Sequence, residues 1–295
     1  MRQEKLQRKY LGLGQDDWWL LGLCLARMAF SLIFETYAAT KPLLMSAWQM
    51  SASQVGWLHS GFYIGYLLSL FGLGLLADRY GARRIILMAG AASAGSAFLF
   101  AIWAHDFVSG LLLYSLTALC AGGSYTPVLT LIAQSIPAQR RGRAMGWYIA
   151  AGTLGCALSL YLSSVMVAYG GWRSAFYITA CGPALGTVLM FWVLRSTPPS
   201  ISPAPDASAD DGLWHALLTN KDAMLMIWGY AFHSWELLGM RSWFPTFLTT
   251  SVALVTTSGP QAVRTGASVG AMLSLASMVG NIGGGPCQTG GGAPP

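Results

Sequence analysis

Eight runs of mainly apolar residues, each close to the length a helix needs to cross a bilayer, dominate this chain. A hydrocarbon core of about 30 Å takes roughly 20 helical residues to span. The runs cover 18–42, 54–77, 85–104, 108–134, 144–169, 174–194, 222–249 and 262–285. The first is too long for a signal-peptide core and no small-residue cleavage site follows it, so it is expected to stay as a spanning helix. The fold class expected is all-α: a polytopic membrane helix bundle.

Charge supports this reading by its scarcity and by its placement. Only 9% of the residues are charged, against about 25% in a soluble domain. The net charge of +6 sits in clusters: Arg2, Lys5, Arg8 and Lys9 before the first run, Arg79, Arg83 and Arg84 at one junction, Arg140, Arg141 and Arg143 at another. Basic residues in alternate short loops follow the positive-inside rule, which puts the amino terminus and the 78–84, 135–143 and 195–221 connections in the cytoplasm. The expected location is therefore the inner or plasma membrane, as a multi-pass protein. No basic stripe with interleaved aromatics lies outside the runs, so no nucleic-acid partner is expected. The five cysteines are far apart and form no CxxC or Cys/His spacing, so neither a metal site nor a disulfide framework is expected. No cofactor motif appears.

The chain divides at "RSTPPSISPAPDASADDG" (195–212), a Pro-, Ser- and Asp-rich stretch that reads as a solvated linker. The expected organisation is a basic cytoplasmic terminus (1–17), a six-helix bundle (18–194), a cytoplasmic linker (195–221), two further helices (222–285) and a tail (286–295). "LWHALLTNKDA" after the linker has weak amphipathic character, with His215 a surface residue. "AGAASAGSA" (89–97), "CAGGS" (120–124) and "GTLGCA" (152–157) remove side-chain bulk where helices would touch.

A charge at mid-span costs about 2.5–3.5 kcal/mol on insertion scales, so each one demands a reason. Run 1 holds Arg27 and Glu35, about 80° apart around a continuous helix, so both can face one cavity. Run 7 holds His233 and Glu236 on one face, with Arg241 further along. One reading makes these internal ion pairs that fix packing, with Arg241 and Lys41 snorkelling outward. The other makes them the polar lining of a substrate cavity flanked by Tyr37, Trp228, Tyr230 and Trp235, with His233 and Glu236 as proton carriers. His59 in run 2 is a weaker candidate. No HExxH, Walker-type or GxSxG motif appears, so no enzyme is expected.

"GLLADRYGARR" (74–84) packs four charges and two glycines into a junction between two apolar runs. Its form resembles the loop between helices 2 and 3 of the major facilitator superfamily, G-x-x-x-D-R-x-G-x-R-R, with Gly74, Asp78, Arg79, Gly81, Arg83 and Arg84 at every motif position. "PAQRRGRAMGW" (137–147) and "GGWRSAFYI" (170–178) resemble that family's 4–5 loop and the start of its helix 6. The resemblance implies a complete first half of the fold and part of the second. It also implies secondary transport of a small-molecule substrate by alternating access, with this loop as a conformational latch between halves and proton-coupled symport as the expected energetics. Gly74 is expected to permit close helix approach and Gly81 a turn with positive φ. The family's drug-proton antiporters carry an arginine where Tyr114 stands here, and their helix 5 proline is absent from "GTLGCALS". With Arg27 in run 1, an organic anion is the better-fitting substrate.

The tail "PCQTGGGAPP" reads neither as a span nor as a helix cap. Skipping two bases of the Gly285 codon lets the following codons spell A-L-S-D-R-W-G-R, a second copy of the loop where the second half of the fold would place it. The expectation is a frameshifted product of a longer transporter gene that does not transport by itself. The alternative is a non-transporting membrane protein that acts as a partner or is degraded.

Overall fold

A computed structural model describes residues 15–195, 218–254, 265–266 and 268–272. The basic terminus up to 14, most of the linker with His215, most of run 8 and the tail lie outside the described residues. Among those described there is no strand.

The first crossing is built from α1 (Gln15–Phe30) and α2 (Thr36–Ala47), joined through a 3-10 turn at Ser31–Ile33. The second is α3 (Ala52–Tyr80), opened by a reciprocal capping box between Ser51 and Gln54. Gly81 ends it at φ 93°, a backbone conformation that costs an L-residue dearly and glycine little. The loop glycine of "GLLADRYGARR" is thus required by the turn. The third crossing is α4 (Ala82–Trp103). The fourth joins α5 (Phe107–Ala121), capped by Asp106 and Ser109, to α6 (Thr126–Ser135) through a 3-10 turn at Gly122–Ser124.

The next helix, α7 (Ala138–Arg195), has 58 residues. At 1.5 Å per residue it would run about 87 Å if straight, nearly three times a bilayer core. It is two crossings, broken at Gly170 and Gly171, where φ is −154° and 68°. Among the described residues five helices are long and apolar enough to cross a membrane, α7 among them, and its break makes the crossings six. Beyond the linker, α8 (Lys221–Ala253) is helical through run 7 and carries Pro245 inside it. It is not among the five: His233, Glu236 and Arg241 keep it too polar on composition alone.

Small residues set the helix contacts, as their clustering predicted. A Cβ on Gly155 would strike the Met28 backbone and the Ser31 side chain, and one on Gly182 would lie 2.5 Å from the Ala29 carbonyl. The first crossing is therefore wedged between the two arms of α7 at backbone distance, where dispersion is gained in lipid. Gly65 meets the Ser115 carbonyl in the same way, at 2.5 Å. Gly74 differs from expectation. A Cβ there would meet only the Thr126 methyl, at an ordinary 3.5 Å, so its helix approach does not demand glycine.

Two buried clusters lie at opposite ends of the bundle. Towards the Trp48 end, Tyr37, Phe62, Phe100, Tyr114 and Phe176 form an aromatic core, with Trp48 and Trp172 against it. Towards the Gly81 end, Leu23, Phe30, Ile86, Ile132 and Met190 pack together.

Candidate functional site

Arg27 sits in the last turn of α1, 9% exposed. Gly152 of α7 makes room for it, since a Cβ there would lie 2.9 Å from Nε. Nη1 donates to Ser124 Oγ at 3.4 Å, and the guanidinium carbon stands 4.8 Å from the Tyr125 ring centre and 5.8 Å from that of Tyr148. Tyr148 in turn donates to the Ser124 carbonyl at 2.5 Å, which holds the 3-10 turn and the ring in register. Nε has no hydrogen-bond partner among the described residues. The groups that act on the guanidinium are Tyr66, Tyr148, Cys156 and Tyr125, with no carboxylate among them. A buried cation held by rings and by the Ser124 and Tyr66 hydroxyls, with Nε still unpartnered, retains unspent capacity for an anion.

Glu35 stands at the N-cap position of α2 at φ −106°, ψ −1°, makes no side-chain capping bond, and is 4% exposed. The 3-10 turn before it means that its bearing relative to Arg27 is not that of a continuous helix. The interruption nonetheless leaves both side chains buried and within the field of Cys156, on which the charges of Glu35, Arg241 and Arg27 all act. The cations acting on Glu35 are Arg241 and Lys41. Arg241 is half-buried rather than directed out of the bundle.

Lys41 corrects the expectation that it snorkels outward. It is 1% exposed, and its ammonium donates to the Ser242 carbonyl at 2.7 Å and to Ser242 Oγ at 3.1 Å. Nζ also lies 4.2 Å from the centre of the Trp243 ring. The reason is length: the first crossing continues to Ala47, so Lys41 lies inside the helix rather than at its end. His59 is buried too, its ring 5.4 Å from Tyr37 and 5.0 Å from Tyr63, with both nitrogens unpartnered among the described residues.

His233 and Glu236 are exposed on α8, as are Trp228, Tyr230 and Trp235, while Tyr37 is fully buried. The structure therefore brings Lys41 to Ser242, the neighbour of Arg241, keeps Glu35 buried, and leaves His233 and Glu236 exposed. In the loop motif, Asp78, Arg79, Arg83 and Arg84 are exposed, with Arg79 5.6 Å from the Tyr80 ring centre. Tyr114, in place of the antiporter arginine, is buried among Phe62, Tyr37 and Phe100. No cluster of three or more His, Cys, Asp or Glu side chains suited to a metal occurs among the described residues.

Sequence reasoning missed Lys41 and the partners of Arg27. Lys41 was visible as a charge near a span end. Ser124, Tyr125 and Tyr148 carried no signal beyond ordinary aromatics and a glycine-rich turn.

Long apolar helices, paired by glycine and surrounding buried charges, define an integral multi-pass membrane protein with a polar interior. The chain belongs to the Major Facilitator Superfamily, whose pattern it matches over residues 20–289. Two crystal structures share its fold: a bacterial homolog to the human lysosomal transporter Spinster, inward-facing and unoccupied (TM-score 0.72) or inward-facing and occupied (TM-score 0.67). Each is 19% identical, and the likeness covers 90% of this chain and 60% of the other. This chain thus spans about 60% of the length of those structures. No curated protein matches it.

Proposed function

We propose that the protein is a secondary transporter of a small organic anion, working by alternating access, with Arg27 as the anchor for the substrate's negative group. The observation that carries this is a buried guanidinium with an unpartnered Nε and no carboxylate acting on it. Left uncompensated in low dielectric, such a charge is costly, and an incoming carboxylate or similar anion relieves the cost. The stacked Tyr125 and Tyr148 rings limit the guanidinium's orientations, so its fork can receive an anion with little further ordering. Members of the family are transporters rather than enzymes, which supports the class of activity.

The Gly81 junction faces the cytoplasm on this reading, because the arginines there follow the positive-inside rule. The exposed first half of α8 then borders a cavity open to that side, the state in which the solved relatives are described. Asp78, Arg79, Arg83 and Arg84 are the latch residues that engage when that side closes. Glu35, buried within reach of the Arg241 and Lys41 charges, is the first candidate for proton coupling, and His233 and Glu236 are the second.

Uptake of a panel of radiolabelled organic anions into cells making the protein tests the proposal. Arg27→Ala is expected to lower uptake of the active anion at least tenfold. Arg27→Lys, which keeps charge but loses the planar fork, is expected to recover only part. Transport of a cation indifferent to Arg27→Ala overturns the assignment.

A further inference from the structure

Contacts between the first bundle and the residues beyond the linker gather at the Trp48 end. Lys41 of α2 reaches Ser242 and Trp243 of α8. Ser164 of α7 lies 3.3 Å from Ser268, oxygen to oxygen, and Ala39, Leu160 and Ala271 form one buried cluster. On α8 the buried residues are Ser242, Pro245 and Thr249, a stripe spaced by three and four, while the turns before Arg241 are exposed. That stripe forms a seal between α8 and the first bundle at the Trp48 end, and α8 has no matching buried stripe at the other end against the described residues.

Most of the seal is small and neutral, made of Ala, Gly, Ser and Thr. Lys41 is the exception, and its chemistry makes the seal conditional. Burying an ammonium costs several kcal/mol unless its donors are met. Here the cost is offset chiefly by a carbonyl, a hydroxyl and an aromatic face of α8. The Tyr37 ring on its own helix is further off at 5.6 Å, and the Glu35 charge acts from the same crossing. Pro245, three residues on, cannot donate a helix hydrogen bond to the Arg241 carbonyl, which loosens the ladder at the turn Lys41 grips. When the seal opens, water replaces all three partners.

We propose that Lys41 is a charged pin of this seal, and that the partners on α8 set how readily the Trp48 end opens. The inference rests on the alternating-access reading but not on the substrate. Removing a partner while keeping the charge strands the ammonium in the closed state and favours opening. Removing the charge as well relieves that penalty. A side chain that merely fills space does not behave in this way.

Cys156 supplies the readout, because it is partly exposed and follows Gly155, which packs on Met28 and Ser31 of the first crossing. The protein, in membrane vesicles of each orientation, is treated with a charged, membrane-impermeant thiosulfonate. Labelling lost in Cys156→Ser is counted, which removes the contribution of Cys24, Cys120, Cys181 and Cys287. Trp243→Leu is expected to raise labelling from the Trp48 face at least fivefold, and Lys41→Met combined with Trp243→Leu to return it to within twofold of the wild type. Ser242→Ala is expected to act in the same direction with a smaller rise, since the carbonyl remains, and it serves if Trp243→Leu fails to fold. Gly266→Leu provides an independent wedge, because a Cβ there would lie 2.7 Å from the Thr249 nitrogen. If Gly266→Leu opens that face and the partner substitutions do not, or if the double variant labels like Trp243→Leu alone, the pin is overturned. If no variant opens it, the alternating-access reading fails and the pin falls with it.

Discussion

The six-crossing bundle and α8 are both long helices of mainly apolar sequence, yet they are held by different means. In the bundle, glycines bring backbones to contact distance, and the first crossing is enclosed by both arms of α7. Along α8 only Ser242, Pro245 and Thr249 are buried, and the first half touches little of the described residues. The difference teaches that apolar length makes a helix but small residues at the right spacing make a bundle. It also separates two jobs. The bundle is a rigid frame for Arg27, and α8 is the part that meets the frame at one end and stands clear of it at the other.

The contrast can be broken most severely inside the frame. Gly155→Leu drives a side chain into the Met28 backbone and is expected to cost about 3 kcal/mol or more, seen as loss of the monodisperse folded species in detergent. Gly81→Val, forced to a positive φ, should lower the thermal midpoint by an amount corresponding to about 1–2 kcal/mol. Ser51→Ala removes one arm of a capping box and is expected to cost about 1 kcal/mol by the same measurement. On α8, Trp235→Ala changes a side chain that is 76% exposed, and a shift beyond about 0.5 kcal/mol would contradict the picture of a helix standing clear.

A smaller effect comes from pH. Asp106 accepts from the Ser109 hydroxyl and N–H, and these bonds hold its carboxyl below the ordinary aspartate value. Since the folded value is the lower one, its cap contribution is complete above the unfolded value and fades as pH falls through the folded one. Asp106→Asn should remove that part of the acid dependence of the thermal midpoint and leave the rest.

Much of the frame was legible. Apolar runs located the first six crossings because a bilayer imposes a length, and the Gly81 turn was legible because its backbone conformation admits little else. The same logic misjudged Gly74, whose surroundings are set by how far Thr126 stands from it. It also misjudged Lys41, because the residue that ends a span depends on where the helix stops, and that is decided by Trp48 and its packing. Arg27 and Glu35 stood out as costly charges. Their geometry did not, since the 3-10 turn at Ser31–Ile33 breaks the regular rotation that relates them.

From sequence alone came the membrane, the crossings, the family and the charges that needed an explanation, because hydropathy, glycine spacing and a loop motif are local properties. Tertiary structure alone decided which charges meet. Arg27 found Ser124 and two tyrosines, Lys41 found Ser242 more than two hundred residues along, and His233 with Glu236 found no place beside them. Such pairings depend on how helices far apart in the chain are packed, and packing is the sum of many weak contacts that no short stretch records.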